Sequence, residues 1–597
     1  MIILEKNSQK QTMLNGAMIL LIATALVKII GALYKMPLTI LIGEVGRGYF
    51  ASAYQIYTPI YAVSMAGLPI AVSKLVSQYI ATNRFKDAQM VKKVATRIFI
   101  LTGLVGTTIL LIVAYPYSIY VCHNVGAVYS ILMIAPAIFF CCMMSTYRGF
   151  YEGTSNMKPT AVSEVVEAIG KLILGLVFSY LILKFGLSRY EEGLTVFGKT
   201  VADKSEALSA IYPFAAAGAI LGVTIGTVLG FIYLKTRYKM RGDGFTRTQL
   251  INSLEPYSRK DVTKSLIKLA IPMVISSLVL NVSNLIDATL IQYCLNRAIE
   301  KDYNTIYNMY KASLDASQTL RKDTATYLYG CYFASQDFKN LIPTITLSLG
   351  ISAIPALSAA YAEKDKRKIR TTIESAMRIV SLIAMPAGFG MAVLAEPILT
   401  LVYGGTNSQN LIPIAAPIMS ACGYATIFFS LSSPVTNMLQ AIGRADVPVK
   451  ALVVGSIIKI IANIVFVSNP RYNINGAVIG TIVCYTLICV IEVIALLKLS
   501  KTKINYVSVF IKPLACATLC AIVAFTSYKF LSRIFPVGDI SSHFNGMTIA
   551  ACIAIVLAVI VYILGLLFSR ALSKDDIIML PKGEKIVKVL EKYKLLG

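Results

Sequence analysis

Apolar runs recur along the whole chain, at residues 14–42, 48–80, 94–121, 127–150, 160–184, 207–235, 264–295, 339–362, 371–395, 409–440, 449–467, 475–498, 508–532 and 546–570. A helix needs roughly 20 apolar residues to cross the hydrocarbon core, so this pattern predicts about 14 transmembrane helices and an all-α polytopic membrane protein. Basic residues collect in alternate connections. Arg84, Lys86, Lys92, Lys93 and Arg97 follow the second run, and Lys235 to Lys268 bridge the sixth and seventh. Lys364 to Arg370, then Arg444 with Lys450, then Lys498 to Lys503 follow the eighth, tenth and twelfth. The connections near His123, at 185–206, near Gly404 and near Asp539 are balanced or nearly uncharged. Cytoplasmic loops carry the lysine and arginine excess. The N- and C-termini are therefore expected in the cytoplasm. The first helix is read as retained, since no small-residue cleavage site follows it.

The pattern also repeats. Gly153, Pro159, Lys171 and Gly175 follow the fourth run, and Gly443, Pro448, Lys459 and Asn463 follow the tenth at spacings that agree within a residue. The next helices then open Gly218-Ala-Ile-Leu-Gly222 and Gly476-Ala-Val-Ile-Gly480. An even offset of six helices makes the halves parallel repeats, an arrangement that places substrate sites near the midplane. The expected organisation is a first lobe over 1–240 (helices 1–6), a cytoplasmic linker over 241–262 and a second lobe over 263–500 (helices 7–12). Helices 13 and 14 follow over 501–572, and a cytoplasmic tail over 573–597. Ile586, Leu590 and Tyr593 share one helical face in that tail, as an interfacial helix would place them. The segment 296–339 is expected to make a short helical excursion outside.

Composition narrows the chemistry. The chain is 56% hydrophobic and only 14% charged, with a mean hydropathy of +0.69. A net charge of +26 does not make it a nucleic-acid binder, because the charge is spread over short loops instead of forming a basic face on a folded domain. The 11 cysteines lie in apolar runs without zinc spacing and read as small buried hydrophobes. No phosphate-binding loop, metalloprotease or hydrolase motif occurs. No enzyme, cofactor or metal is expected, so transport must draw on a gradient, a potential or the substrate's own flux.

Polar groups inside the runs are the candidate site. Lys28 falls near mid-membrane, where an ammonium costs at least ~2.5–3.5 kcal/mol and functional placement is the default reading. With Lys74, Lys171, Lys459 and Asn284 it forms the expected substrate-binding set, beside Asn281 and Asn463. Positive charge outweighs negative among the deep groups, which suits an anionic phosphate or pyrophosphate head group. Glu164, Glu167 and Asp287 are the candidate ion-coupling groups. Glu167 and Lys171 stand at i,i+4 and are able to pair on one face.

Lys28-Ile-Ile-Gly-Ala-Leu-Tyr-Lys-Met-Pro37, Ala66-Gly-Leu-Pro-Ile-Ala-Val-Ser-Lys-Leu-Val76, Ser375-Ala-Met-Arg-Ile-Val and Met385-Pro-Ala-Gly-Phe-Gly390 resemble the polysaccharide-biosynthesis and stage V sporulation protein B family. So does Leu439-Gln-Ala-Ile-Gly-Arg-Ala-Asp-Val-Pro448. That family belongs to the multidrug, oligosaccharidyl-lipid and polysaccharide exporter superfamily. The resemblance implies two six-helix lobes, a cationic cavity and alternating access in a bacterial cell membrane. It also implies a lipid-linked oligosaccharide as partner, an undecaprenyl-pyrophosphate saccharide turned from inner to outer leaflet, as in the lipid II flippases. Lys28 stands where those flippases carry a basic residue, commonly arginine. Two other readings remain at this level. One is a cation-coupled drug exporter using Glu164, Glu167 and Asp287 with a monovalent ion. The other is a non-transporting scaffold for cell-wall or spore-cortex synthesis.

Overall fold

The computed structural model describes residues 13–65, 68–193, 195–343, 346, 357, 360–361, 363–404, 406, 408–444, 446–535, 546–569 and 571. Side chains are described within these ranges except at some positions between 13 and 70, Lys28 among them, and throughout 272–288. Apart from a single bridge between Val196 and Lys199, the described residues form helices, turns and loops. Among the described residues, ten helices are long and apolar enough to cross a membrane. They coincide one for one with the third to sixth and the ninth to fourteenth predicted runs. Leu101 and Ile112, 64% and 68% exposed on the third run's helix, are apolar side chains that only lipid would cover.

The chain divides into two units, Met1–Gln292 with Thr319–Gly330, and Tyr293–Gln318 with Cys331–Gly597. The first holds α1 (Met13–Met65), α2 (Leu68–Ala81), α3 (Phe85–Tyr120), α4 (Ala127–Gly153), α5 (Lys158–Glu191), α6 (Lys204–Arg241) and α7 (Arg247–Ile251). Helix α8 (Arg259–Lys301) carries the seventh run, and α9 (Tyr303–Ala316) and α10 (Thr324–Lys339) fill the expected excursion. The second unit holds α11 (Lys366–Val393), α12 (Ala395–Tyr403), α13 (Ile412–Ala441), α14 (Asp446–Ala462), α15 (Asn473–Ser500), α16 (Lys512–Ile534) and α17 (Gly546–Phe568). Most of the eighth run, and the tail with Ile586, Leu590 and Tyr593, lie outside the described residues.

Two features differ from the sequence expectation. The first two runs share α1, which bends at Gly43 with φ 64° and ψ −178°, a conformation that glycine alone adopts freely. The bend takes one residue where a polar loop was expected, so Glu44 and Arg47 become buried, 5% and 0% exposed. The expected linker 241–262 falls inside the first unit and is fastened to it. Buried Asp87 pairs with Arg84 at 3.1 Å and accepts from the Tyr257 backbone N–H at 2.8 Å. Arg84 stacks on the Tyr257 ring at 3.8 Å. Ser253 Oγ accepts from the Lys86 N–H at 3.1 Å, and α7 is closed by a capping box from Thr246 and Gln249. These contacts tie the segment to the residues between Arg84 and Asp87 of the first unit.

Glycines set how closely the helices that carry the site approach. A Cβ on Gly222 of α6 would lie 2.2 Å from Gly175 N of α5, and one on Gly218 would meet the Phe178 backbone at 3.2 Å. In the second unit a Cβ on Gly480 of α15 would meet Asn463 Oδ1 at 3.0 Å, and one on Gly476 would meet the Phe466 backbone at 2.7 Å. The partners stand four and seven residues beyond Lys171 in one unit and four and seven beyond Lys459 in the other. The two helix pairs thus pack in the same register, with the two lysines at equivalent positions in their own units.

Candidate functional site

Lys171 lies thirteen residues into the 34-residue α5, about 20 Å along its axis, deep in the membrane-spanning part. Its ammonium donates to Tyr54 OH at 2.9 Å and faces the Tyr34 and Tyr54 rings at 5.2 and 5.1 Å. Cation–π attraction grows as water is removed, so two rings and a hydroxyl offset part of the cost of burying the charge. Tyr34 is itself fixed, donating to the Ala219 carbonyl at 3.1 Å. Arg47, just past the Gly43 bend, lies over Phe50 at 5.1 Å, and its charge reaches Tyr34 and Tyr54. Lys35 also acts on Tyr54. Lys171 thus contacts both tyrosines, with Arg47 acting on both and Lys35 on Tyr54.

Below them α1 carries an aromatic ladder. Phe50, Tyr54, Tyr57 and Tyr61 recur at intervals of four, three and four, which keeps them on one helix face. Successive ring centroids lie 4.8, 6.0 and 5.3 Å apart. Tyr54, Tyr57 and Tyr61 are half-buried although they sit mid-helix, so this face is not closed by packing. The spacing is readable in the sequence, but the sequence analysis drew nothing from it.

A second polar group lies on α4 and α5. Arg148 pairs with Glu167 at 3.0 Å and donates from Nε to Ser163 Oγ at 2.9 Å. Thr227 of α6 donates to Glu167 at 3.5 Å, and Glu164 lies within range of the same guanidinium. The possible Glu167–Lys171 pair does not form: Arg148 takes the carboxylate and Tyr54 takes the ammonium. An arginine fork matches a carboxylate better than a single ammonium does.

In the second unit, Lys459 of α14 lies 6.0 Å from the centre of the Tyr485 ring, and Lys339 at the end of α10 lies 5.4 Å from it. Phe429 of α13 stacks on that ring at 4.4 Å. Also in this unit, Glu492 of α15, 2% exposed, accepts from Ser432 at 2.6 Å and Thr436 at 2.9 Å. Of the other predicted residues, Lys74 is exposed on α2. The side chains of Lys28, Asn281, Asn284 and Asp287 lie outside the described residues. Lys171, Glu164 and Glu167 fall together in the first unit and Lys459 in the second. Arg148, Lys339, Tyr34 and Tyr54 were missed, because what marks them is a partner on another helix, and Arg47 because the Gly43 bend that buries it is not visible in the sequence.

The ammonium of Lys171 is a donor of the kind that suits an oxyanion. A family model described as polysaccharide biosynthesis protein matches residues 13–361, and a MatE model matches residues 331–465. The lipid II flippase MurJ of Bacillus subtilis (strain 168) is 26% identical over 79% of this chain and 80% of its own length. Stage V sporulation protein B of the same strain is 22% identical over 96% and 98%. Among solved structures, a lipid II flippase MurJ in an inward closed conformation aligns with a TM-score of 0.58 at 17% identity, covering 93% of this chain and 99% of that one. An inward-facing MATE family multidrug resistance transporter of the MOP superfamily gives 0.58 at 13% identity, covering 79% and 96%. These two likenesses establish the fold as a helical polytopic membrane fold.

Proposed function

The chain belongs to the polysaccharide biosynthesis protein family, and on that premise we propose that it is a flippase that turns an undecaprenyl-pyrophosphate-linked saccharide from the inner to the outer leaflet by alternating access. The observation that carries this reading is the deep ammonium of Lys171, backed by Tyr34 and Tyr54 with Arg47 in range. Such a site attracts a pyrophosphate, while the polyprenyl tail stays in lipid and the sugar passes through the polar path. Without a path the charged head group faces a barrier of several kcal/mol in hydrocarbon. An inside-negative potential favours outward movement of the anion by ~2.3 kcal/mol per charge per 100 mV. Glu167 is engaged by Arg148, which weakens its case as the ion site of a drug exporter.

The test is reconstitution of the full chain in vesicles holding a labelled lipid-linked saccharide in one leaflet. The label is expected to reach the other leaflet faster than in protein-free vesicles, and faster still when an imposed potential favours it. Rates equal to the protein-free control, with folded protein present, would overturn the proposal. A drug exporter would instead pump a cationic dye and leave the saccharide where it was.

The orientation belongs to the same reading. With both termini inside, positions 241 and 366 face the cytoplasm and 192 and 310 face outward, as the alternation of basic loops requires. Impermeant thiol reagents applied to intact cells should label Glu192→Cys and spare Arg241→Cys. Labelling of position 241 from outside is incompatible with the proposed topology.

A further inference from the structure

The second unit holds a buried acid that the reading above does not use. Glu492 of α15 is 2% exposed and stands eight residues before the helix end at Ser500, ~12 Å inside it. Its two oxygens meet Ser432 Oγ at 2.6 Å and Thr436 Oγ1 at 2.9 Å, both on one face of α13. Apolar side chains close the site along both helices. Ile427, Leu431 and Cys489 cluster on one side of it, and Val435, Leu439 and Leu496 on the other. Among the described residues no cation pairs with this carboxyl. The α13 helix carries no charged residue at all. On α14, Lys450 pairs with Asp446 at the exposed start and Lys459 faces Tyr485, and Arg378 of α11 donates to Ser508 Oγ at 2.8 Å. The titratable group on which Glu492 acts is the thiol of Cys489, three residues before it.

An ionised carboxylate held in a low-dielectric interior without a cation is costly, and an intramembrane acid is by default a functional group. The fold does not require one here. Gly218 and Gly222 of α6 match Gly476 and Gly480 of α15, and that register puts Leu234, fully buried, where α15 has Glu492. A leucine therefore fills the equivalent position in the first unit. Both hydroxyls bond the carboxyl directly, so the occupant that fits without displacing them is a proton. The acid O–H then donates to Ser432 while Thr436 donates to the other oxygen. The α13 helix is able to yield at this place, because Pro434 stands between the two hydroxyls and leaves the Ser430 carbonyl without its helical N–H partner. We propose that Glu492 is a proton-binding site of the second unit, positioned by Ser432 and Thr436, and that each transport cycle loads and releases one proton there. On release the acid O–H bond breaks, the proton passes to water, and Ser432 turns its hydroxyl so that the carboxylate accepts from both partners. The half-buried member of the triad, Thr436, marks the side from which the proton comes and goes. The site rests on the flippase reading only for what the proton drives.

Infrared spectroscopy of the full-length chain in lipid vesicles, followed through a pH titration, reads the proton directly. The C=O band of a protonated carboxyl is expected in the unmodified chain and should fade as the pH is raised. Glu492→Gln, which keeps both hydroxyl contacts, should lack a titrating component that the unmodified chain shows. Thr436→Val should shift the pH at which that component is lost, a readout that a merely structural hydroxyl would not move. Carbodiimide, which labels protonated carboxyls in membranes, needs no variant: peptide mapping should find the label on Glu492 at low pH and not at high pH. With the potential clamped at zero, a gradient of one pH unit should change the flipping rate by up to about tenfold for one proton per cycle, and Glu492→Gln should flip at a rate indifferent to that gradient. The proposal is overturned by an unchanged titrating band in folded Glu492→Gln, by label absent from Glu492 at every pH, or by an unmodified chain that flips the saccharide regardless of the pH gradient. A band that sodium removes at constant pH would also overturn it, by assigning the site to a metal ion. A chain that shows the titrating band at Glu492 but moves no saccharide would sink the flippase reading and leave the proton site standing.

Discussion

Lys171→Met is expected to lower flipping by about 10- to 100-fold while leaving the protein folded and inserted. The factor follows from losing one hydrogen bond to a charged group, about 1.5–3 kcal/mol, at about 1.4 kcal/mol per tenfold change. Methionine keeps most of the volume that packs against Tyr34 and Tyr54, and removing a deep charge does not hinder insertion. Lys171→Arg should keep much of the activity, since a guanidinium also stacks on aromatic faces and binds phosphate oxygens as a fork. The competing explanation is that the 2.9 Å bond from Lys171 to Tyr54 only clamps α5 to α1. Tyr54→Phe separates the two, because it removes that bond and keeps both the ring and the ammonium. If the charge acts on the substrate, Tyr54→Phe is mild and Lys171→Met severe. Equal losses in both, tracking the amount of folded protein, would reduce Lys171 to a helix clamp.

Lys171 was identifiable from the chain alone, whereas its surroundings were not, and the difference is one of range. Apolar runs and glycine spacings are local, so the ten described helices long and apolar enough to cross, and the shared register of Gly222 with Gly175 and Gly480 with Asn463, follow from patterns a few residues long. The α1 bend escaped because one glycine with positive φ does the work of a loop. Glu44 and Arg47, flanked by Gly43, Gly46 and Gly48, therefore looked like solvated loop residues, yet both are buried. Arg148 stands near the end of its run, where a basic residue usually marks the cytoplasmic boundary. Its partner Glu167 is on the next helix. Lys339 closes α10 in a stretch that read as an outside excursion, and only the tertiary fold brings it to Tyr485. For Arg148 and Lys339 the charge was visible and the group that meets it was distant in sequence.

The same reasoning gives the largest expected effect on stability. Arg148 holds Glu167 at 3.0 Å, donates to Ser163 at 2.9 Å and acts on Glu164 as well. Its side chain is 15% exposed and that of Glu167 is 30% exposed, so water compensates the carboxylate only in part. Arg148→Met should therefore destabilise the fold by about 3–5 kcal/mol, the cost of leaving one partner of a buried pair uncompensated. Glu167→Gln should cost less, because Glu164 remains to face the guanidinium and the amide still accepts from Thr227. The double variant Arg148→Met/Glu167→Gln should recover much of the loss, as expected for residues that act as a pair. Thermal unfolding of the purified chain, followed with the yield of inserted protein, measures all three. Flipping by Glu167→Gln then decides what the carboxylate is for. If the pair is structural, activity per folded molecule is unchanged and Arg148→Met fails only through lost protein. If Glu167 instead carries a coupling ion, the glutamine variant is folded, abundant and deaf to the ion gradient, and the destabilised Arg148→Met protein still responds to that gradient in whatever fraction remains folded.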